Sequence, residues 1–66
     1  MNIHIIYHSN KWIVKKEYAI RALRKFKYRE LAFKYACDIY DFNDDVIIVH
    51  NKDASVCFKF KNNNLI

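Results

Sequence analysis

The chain of 66 residues contains no glycine, no proline and no threonine. Without glycine, a turn that needs a positive φ angle must use another residue, and asparagine and aspartate tolerate that conformation best. We therefore predict turns at Ser9-Asn10, at Asn43-Asp44 and at Asn51 to Asp53. The absence of glycine also excludes the glycine-rich loops that bind phosphates and the sharp elbow that presents a catalytic serine.

Long hydrophobic runs are absent as well. The longest, Val46 to Val49, is far shorter than the stretch of about 20 residues that spans a bilayer, which excludes a membrane-spanning helix. The first ten residues lack the basic and apolar regions of a signal peptide, so we expect no secretion signal. Two cysteines without such a signal favour free thiols in a reducing compartment, and we expect a cytoplasmic location.

The remaining composition is that of a folded domain. Hydrophobic residues make up 53% of the chain and charged residues 29%, which is too apolar for a disordered segment. The length allows one domain with a thin core and a stability of a few kcal/mol. We predict a single domain over residues 1–61, followed by a flexible C-terminal tail over residues 62–66.

Two β-hairpins are predicted at the two ends of the chain. In the first, an apolar strand from Ile3 to Tyr7 is followed by the Ser9-Asn10 turn and by a strand in which Trp12 and Val14 share the core face. The second has an apolar strand, the turn at Asn51 to Ala54, and a final strand whose apolar residues alternate with polar ones.

The middle of the chain contains a helix. Apolar residues recur at helical spacing and predict a helix from Tyr28 to Asp41, whose buried stripe contains Ala32, Ala36 and Ile39, flanked by Leu31 and Tyr35. The preceding segment, Ile20 to Lys27, fits either a helix or a short strand. The predicted fold is α+β, a small antiparallel sheet in the order β-β-(β)-α-β-β with the helix packed on one face.

Three short motifs lie on the predicted elements: Trp12 to Lys15 on the second strand, Glu30 to Ala36 on the helix, and Val49 to Asp53 at the last hairpin. Together these motifs resemble the bacterial domain of unknown function 2188 family. The resemblance implies two or three strands, a helix and a closing hairpin, and favours an extended segment at Ile20 to Lys27. This chain has Ala54 where the family usually has glycine, and no serine, threonine or aspartate directly before the helix. The resemblance implies no known activity and no functional residues.

Residues for catalysis or metal binding are not arranged in known patterns. His4 and His8 share a strand face but lie roughly 13 Å apart, too far to bind one ion. A cluster of Cys37, Cys57 and His50 has no supporting motif, and both thiols are interpreted as small buried side chains. Neither Ser9 nor Ser55 belongs to a recognisable pattern of a nucleophile beside a general base. We predict neither a metal, nor a cofactor, nor enzymatic activity.

Charge is strongly segregated along the sequence. From Lys11 to Lys34 there are nine basic residues against two acidic ones, a balance of +7, whereas the segment from Asp38 to Asp45 carries −4. Aromatic residues are interleaved with the basic ones, which is typical of surfaces that bind phosphates and stack on bases. We expect the bases to share one accessible face and predict nucleic-acid contacts for Lys11, Lys15, Arg21, Arg24, Lys25, Lys27 and Arg29.

Two alternatives explain the same charge pattern. Separated positive and negative regions also favour protein binding, either as a homodimer or as a small regulator or inhibitor of a larger protein. Basic side chains are also ordinary surface residues, and an inert domain with a solvated basic face would look the same in sequence.

Overall fold

The computed structural model describes residues Met1 to Ile66 and has one helix packed on one face of a six-stranded sheet. In chain order the elements are β1 Asn2–His8, β2 Lys11–Lys16, β3 Arg24–Phe26, α1 Arg29–Ile39, β4 Val46–His50, β5 Val56–Lys61 and β6 Asn64–Leu65. The predicted α+β class is confirmed. No helix has the length and apolar character needed to cross a membrane.

The sheet is mixed, so the prediction of a purely antiparallel sheet is wrong. The strand order is β3-β2-β1-β4-β5-β6. Both predicted hairpins are present and antiparallel, but they join through their first strands, which run in parallel, with Asn2 opposite Val46 and Ile5 opposite Val49. Parallel neighbours need a long crossover, and here the crossover contains β2, β3 and the helix.

The ambiguous segment before the helix is extended. Residues Arg24–Phe26 form β3, which pairs with β2 so that Phe26 lies opposite Trp12. The helix then begins at Arg29 and ends at Ile39, within two residues of the predicted bounds at each end. A sixth strand, Asn64–Leu65, pairs with the end of β5 inside the segment predicted to be a flexible tail.

The core lies between the helix and one sheet face. Strand side chains alternate, so every second residue of the central strands points at the helix. Two small residues of the helix, Ala32 and Ala36, are fully buried against them and let the helix approach closely. The predicted core residues Trp12 and Val14 are confirmed, whereas Leu31 and Ile39, 49% and 37% exposed, lie at the edge of the helical stripe. The core cluster is Ile3, Ile5, Trp12, Val14, Ala32, Ala36, Ile47 and Val49.

The opposite face of the sheet carries no helix, and we call it the open face. Strand pairing places Ile6 opposite Ile13, and Ile13 opposite Lys25, in one row across β1, β2 and β3. A second row contains Lys15, His4, Ile48 and Lys59. The open face is therefore a mixture of isoleucine side chains with lysine and histidine.

The turns show how the chain manages without glycine. Ser9 and Asn10 both have positive φ angles, as expected for a tight hairpin turn, and Asn62 and Asn63 do the same before β6. Tyr18 and Ala54 also adopt positive φ angles, of 67° and 75°. These two residues were not predicted in this role, and their Cβ atoms make the conformation unfavourable.

Ala54→Gly is expected to stabilise the domain by about 0.5–1 kcal/mol, because glycine removes the Cβ strain at a positive φ angle. Ala22→Gly is the matched control, since Ala22 has no positive φ angle and glycine there only adds freedom to the unfolded chain. Urea denaturation of both variants measures the difference. A loss of stability in Ala54→Gly would show that the turn is not strained.

Candidate nucleic-acid interface

A cleft of about 510 Å³ opens at the end of the sheet where the helix begins. Its walls come from the β1–β2 hairpin, from the start of the helix and from the turn between β4 and β5, so the fold joins three segments that are distant in sequence. We call it the basic cleft. It is lined by Tyr7, Asn10, Trp12, Lys27, Tyr28, Arg29, Glu30, Asn51 and Lys52.

Three cations in the basic cleft lie over aromatic rings. The Arg29 guanidinium carbon is 5.5 Å from the centroid of the Trp12 ring. The Lys52 Nζ atom is 4.8 Å from the centroid of the Tyr7 ring. The third pair is between Lys27 and its neighbour Tyr28, at 5.6 Å. Such contacts stabilise exposed cations by about 0.5–1 kcal/mol and hold them near the aromatic surfaces.

The basic cleft is electropositive. The two ion pairs of the structure join the N-terminal amine to Asp45 and His4 to Glu17, so no lysine or arginine is neutralised by a carboxylate. The helix begins at Arg29, among the residues that line the cleft, so the positive end of the helix dipole faces this region. Tyr28, which precedes the helix, makes no side-chain hydrogen bond to the backbone N–H groups of its first turn. Glu30 is the one carboxylate among the lining residues.

The acidic residues occupy the turn after the helix, which we call the acidic turn, residues 41–45. The Asp41 carboxylate accepts hydrogen bonds from the N–H groups of Asn43 and Asp44, at 2.9 and 3.2 Å. Asp45 accepts the Asp41 N–H, which lowers the pKa of Asp45, and the N-terminal amine lowers it further. The acidic turn is thus held together by its own hydrogen bonds. Negative charge follows the helix C-terminus and positive charge surrounds its N-terminus.

The seven residues predicted to contact nucleic acid do not form one continuous patch. Only Lys27 and Arg29 line the basic cleft. By strand alternation, Lys11, Lys15 and Lys25 lie on the open face. Arg24 lies on the helix side of the sheet, 5.5 Å from the Tyr35 ring, and Arg21 is exposed before β3. The bases therefore do not share the one accessible face that the sequence predicted. They are divided between the basic cleft, the open face and the helix side of the sheet.

Lys52 is the one cation of the basic cleft that the sequence analysis did not predict as a site residue. It belongs to the β4–β5 turn, which the sequence analysis treated only as a structural element. Its charge enters the cleft because β4 pairs with β1, and this pairing places the ends of the two hairpins side by side. No local pattern around Lys52 indicates this neighbourhood.

A chain of hydrogen bonds joins three titratable side chains on the open face. The Glu17 Oε1 atom is 3.2 Å from His4 Nε2, and His4 Nδ1 is 2.9 Å from His50 Nε2. The remaining nitrogen of His50, Nδ1, is 3.2 Å from the Ala54 carbonyl oxygen. A carbonyl can only accept, so His50 donates from Nδ1 and accepts at Nε2. The chain is complete when His4 donates from both nitrogens, as an imidazolium beside the Glu17 carboxylate.

Glu17→Gln is expected to lower the free energy of unfolding at about pH 7, with a smaller effect at about pH 3. Hydrogen bonds, first from His4 and then from Asn2, lower the pKa of Glu17 below its ordinary value of 4.5. The folded state therefore favours the carboxylate, and this stabilisation is lost as the pH falls through the lowered pKa. Urea denaturation at both pH values measures it, with Asp44→Asn, whose carboxylate accepts no hydrogen bond, as the control. A pH-independent effect would contradict this origin.

The histidines and cysteines do not form a metal centre. No group of three or more histidine, cysteine, aspartate or glutamate side chains is placed to hold an ion. Both cysteines are free thiols. Cys37 is half-buried, and burial raises its pKa. Cys57 is exposed, with its Sγ atom 3.9 Å from an Arg29 nitrogen, so the interpretation of both thiols as buried side chains is wrong for Cys57.

Comparison of the chain with models of known families, with curated proteins and with solved structures finds no match. The resemblance to the domain of unknown function 2188 family stays a prediction.

Proposed function

We propose that the protein is a small, non-enzymatic module that binds single-stranded nucleic acid in the basic cleft. The observation that carries this proposal is the set of three unneutralised cations, each held over an aromatic ring, within one concavity. Lysine and arginine neutralise phosphates, and aromatic faces stack on unpaired bases. A cytoplasmic location belongs to the same proposal.

A single strand fits the cleft better than a duplex. Tyr28 is 55% exposed at the rim, so one face of its ring is accessible to a base. Tyr7 and Trp12 pack against each other with ring centroids 5.0 Å apart, which fixes the inner wall. Stacking needs bases that are not already paired, and a duplex offers only its phosphates to such a site.

The test is fluorescence anisotropy with labelled single-stranded and double-stranded oligonucleotides. Three neutralised phosphates predict an affinity loss of about tenfold to twentyfold for the single strand between about 50 and 200 mM salt. The triple variant Lys27→Ala, Arg29→Ala and Lys52→Ala is expected to lose most of the binding and most of the salt dependence.

A control variant removes the same charge elsewhere. It combines Lys34→Ala, Lys59→Ala and Lys61→Ala, none of which lines the basic cleft. Binding is expected to survive in this control within a few-fold. Equal losses in both triple variants would mean that attraction is diffuse and that the cleft is not the site. Absence of binding by the wild-type protein at low salt would contradict the proposed nucleic-acid-binding function.

The protein-interaction alternative is favoured by a different surface, the open face. The open face carries the half-buried side chains of Ile6 and Ile13, and the exposed Ile20 lies beside them, with Lys15 and Lys25 nearby. Exposed apolar surface rimmed by charge is typical of protein interfaces.

A further inference from the structure

We propose that the protein self-associates head to tail, with Phe42 of one copy inserted into a groove on the open face of the next copy. This inference does not rest on nucleic-acid binding. The groove has a volume of about 400 Å³ and is lined by Ile6, Tyr7, His8, Ile13, Lys15, Ile20, Ala22 and Lys25.

The groove has an apolar floor and a basic rim. Ile6 and Ile13 are cross-strand neighbours and form the floor. Ile20 rises from the segment before β3 and is 95% exposed, so a large apolar side chain stands beside the groove with no contact that buries it. Lys15 and Lys25 are on the rim, and no carboxylate lines the groove. An occupant must therefore be apolar at its centre and acidic around it.

The acidic turn has this composition. Phe42 is 47% exposed and lies between Asp41 and Asp44. The turn is held in place by its own hydrogen bonds and by Asn62, whose side-chain amide donates to the Phe42 carbonyl at 2.7 Å. A rigid turn loses little conformational freedom on docking, which favours association.

The two surfaces cannot meet within one copy. The acidic turn directly precedes Val46, which pairs with Asn2 at the start of β1, whereas the groove contains the other end of β1, Ile6 to His8. The distance between them along the strand is about 13–20 Å. Two grooves facing each other would bring like charges together, which disfavours direct contact between grooves. The complementary arrangement is groove to turn, a contact that repeats from copy to copy.

The test uses sedimentation of the protein alone over about 0.01–1 mM at low salt, a range suited to a small interface. The average mass is expected to rise with concentration beyond that of a dimer, and to fall when salt is added. Phe42→Ala and the double variant Lys15→Glu with Lys25→Glu should each stay monomeric. Lys34→Glu with Lys59→Glu, which makes the same charge change outside the groove, should associate like the wild type.

A mixture of the two monomeric variants gives the sharpest result. Phe42→Ala retains the groove, and the double variant Lys15→Glu with Lys25→Glu retains Phe42. Together they should form a one-to-one complex that grows no further. Wild-type protein that stays monomeric, a mixture that stays monomeric, or a dimer that persists in Phe42→Ala would each overturn the proposal. Circular dichroism confirms that every variant is folded.

Discussion

Ala32→Asp is expected to unfold the domain. Ala32 is fully buried, at the centre of the helix face that packs on the sheet. An aspartate there would leave a charge without a partner in the core, at a cost of several kcal/mol, or would force the helix away from the sheet. A domain of this size has only a few kcal/mol of stability, so the substitution removes all of it.

The matched control is Leu31→Asp. Leu31 precedes Ala32 in the same helix but is 49% exposed, so its replacement introduces the same side chain at the neighbouring position without burying the charge. Circular dichroism should show a folded protein with a cooperative thermal transition for Leu31→Asp and a disordered spectrum for Ala32→Asp. A normal transition in Ala32→Asp would refute the orientation of the helix.

Local patterns predicted the elements of this fold better than their arrangement. The helix and the first hairpin follow from spacing within short segments, and Ser9-Asn10 has the positive φ angles that such a turn requires. The parallel pairing of β1 with β4 involves strands far apart in sequence, which leave no mutual signal. One clue was available: Ile47 to Val49 is continuously apolar rather than alternating, as in a strand at the centre of a sheet.

The candidate site was predictable to the same degree. The basic segment that the sequence singled out contains Lys27 and Arg29, and both line the basic cleft because they are close in sequence to the helix start. The sequence could not separate them from Lys15 and Lys25, since the side of the sheet on which a lysine lies depends on strand register. Lys52 reaches the cleft only through the β1–β4 pairing.

Trp12→Ala is the substitution with the next largest expected effect, a loss of about 3–5 kcal/mol, enough to unfold most of the protein. Trp12 is 7% exposed and belongs to the core cluster. Its ring packs on Tyr7 and lies opposite Phe26 in the neighbouring strand. Truncation removes this area and leaves a cavity at the position of the one aromatic side chain among the buried core residues.

Trp12→Phe separates the two roles of this residue, because phenylalanine fills most of the core volume and presents a weaker face to the Arg29 guanidinium. We expect it to fold with a moderate loss of stability and to bind single strands less tightly than the wild type. Tyr28→Ala, at the exposed rim, should weaken binding with little change in stability. Urea denaturation followed by circular dichroism measures stability without using tryptophan fluorescence. Wild-type stability in Trp12→Ala would show that the side chain lies outside the core, and the basic cleft would then lose its inner wall.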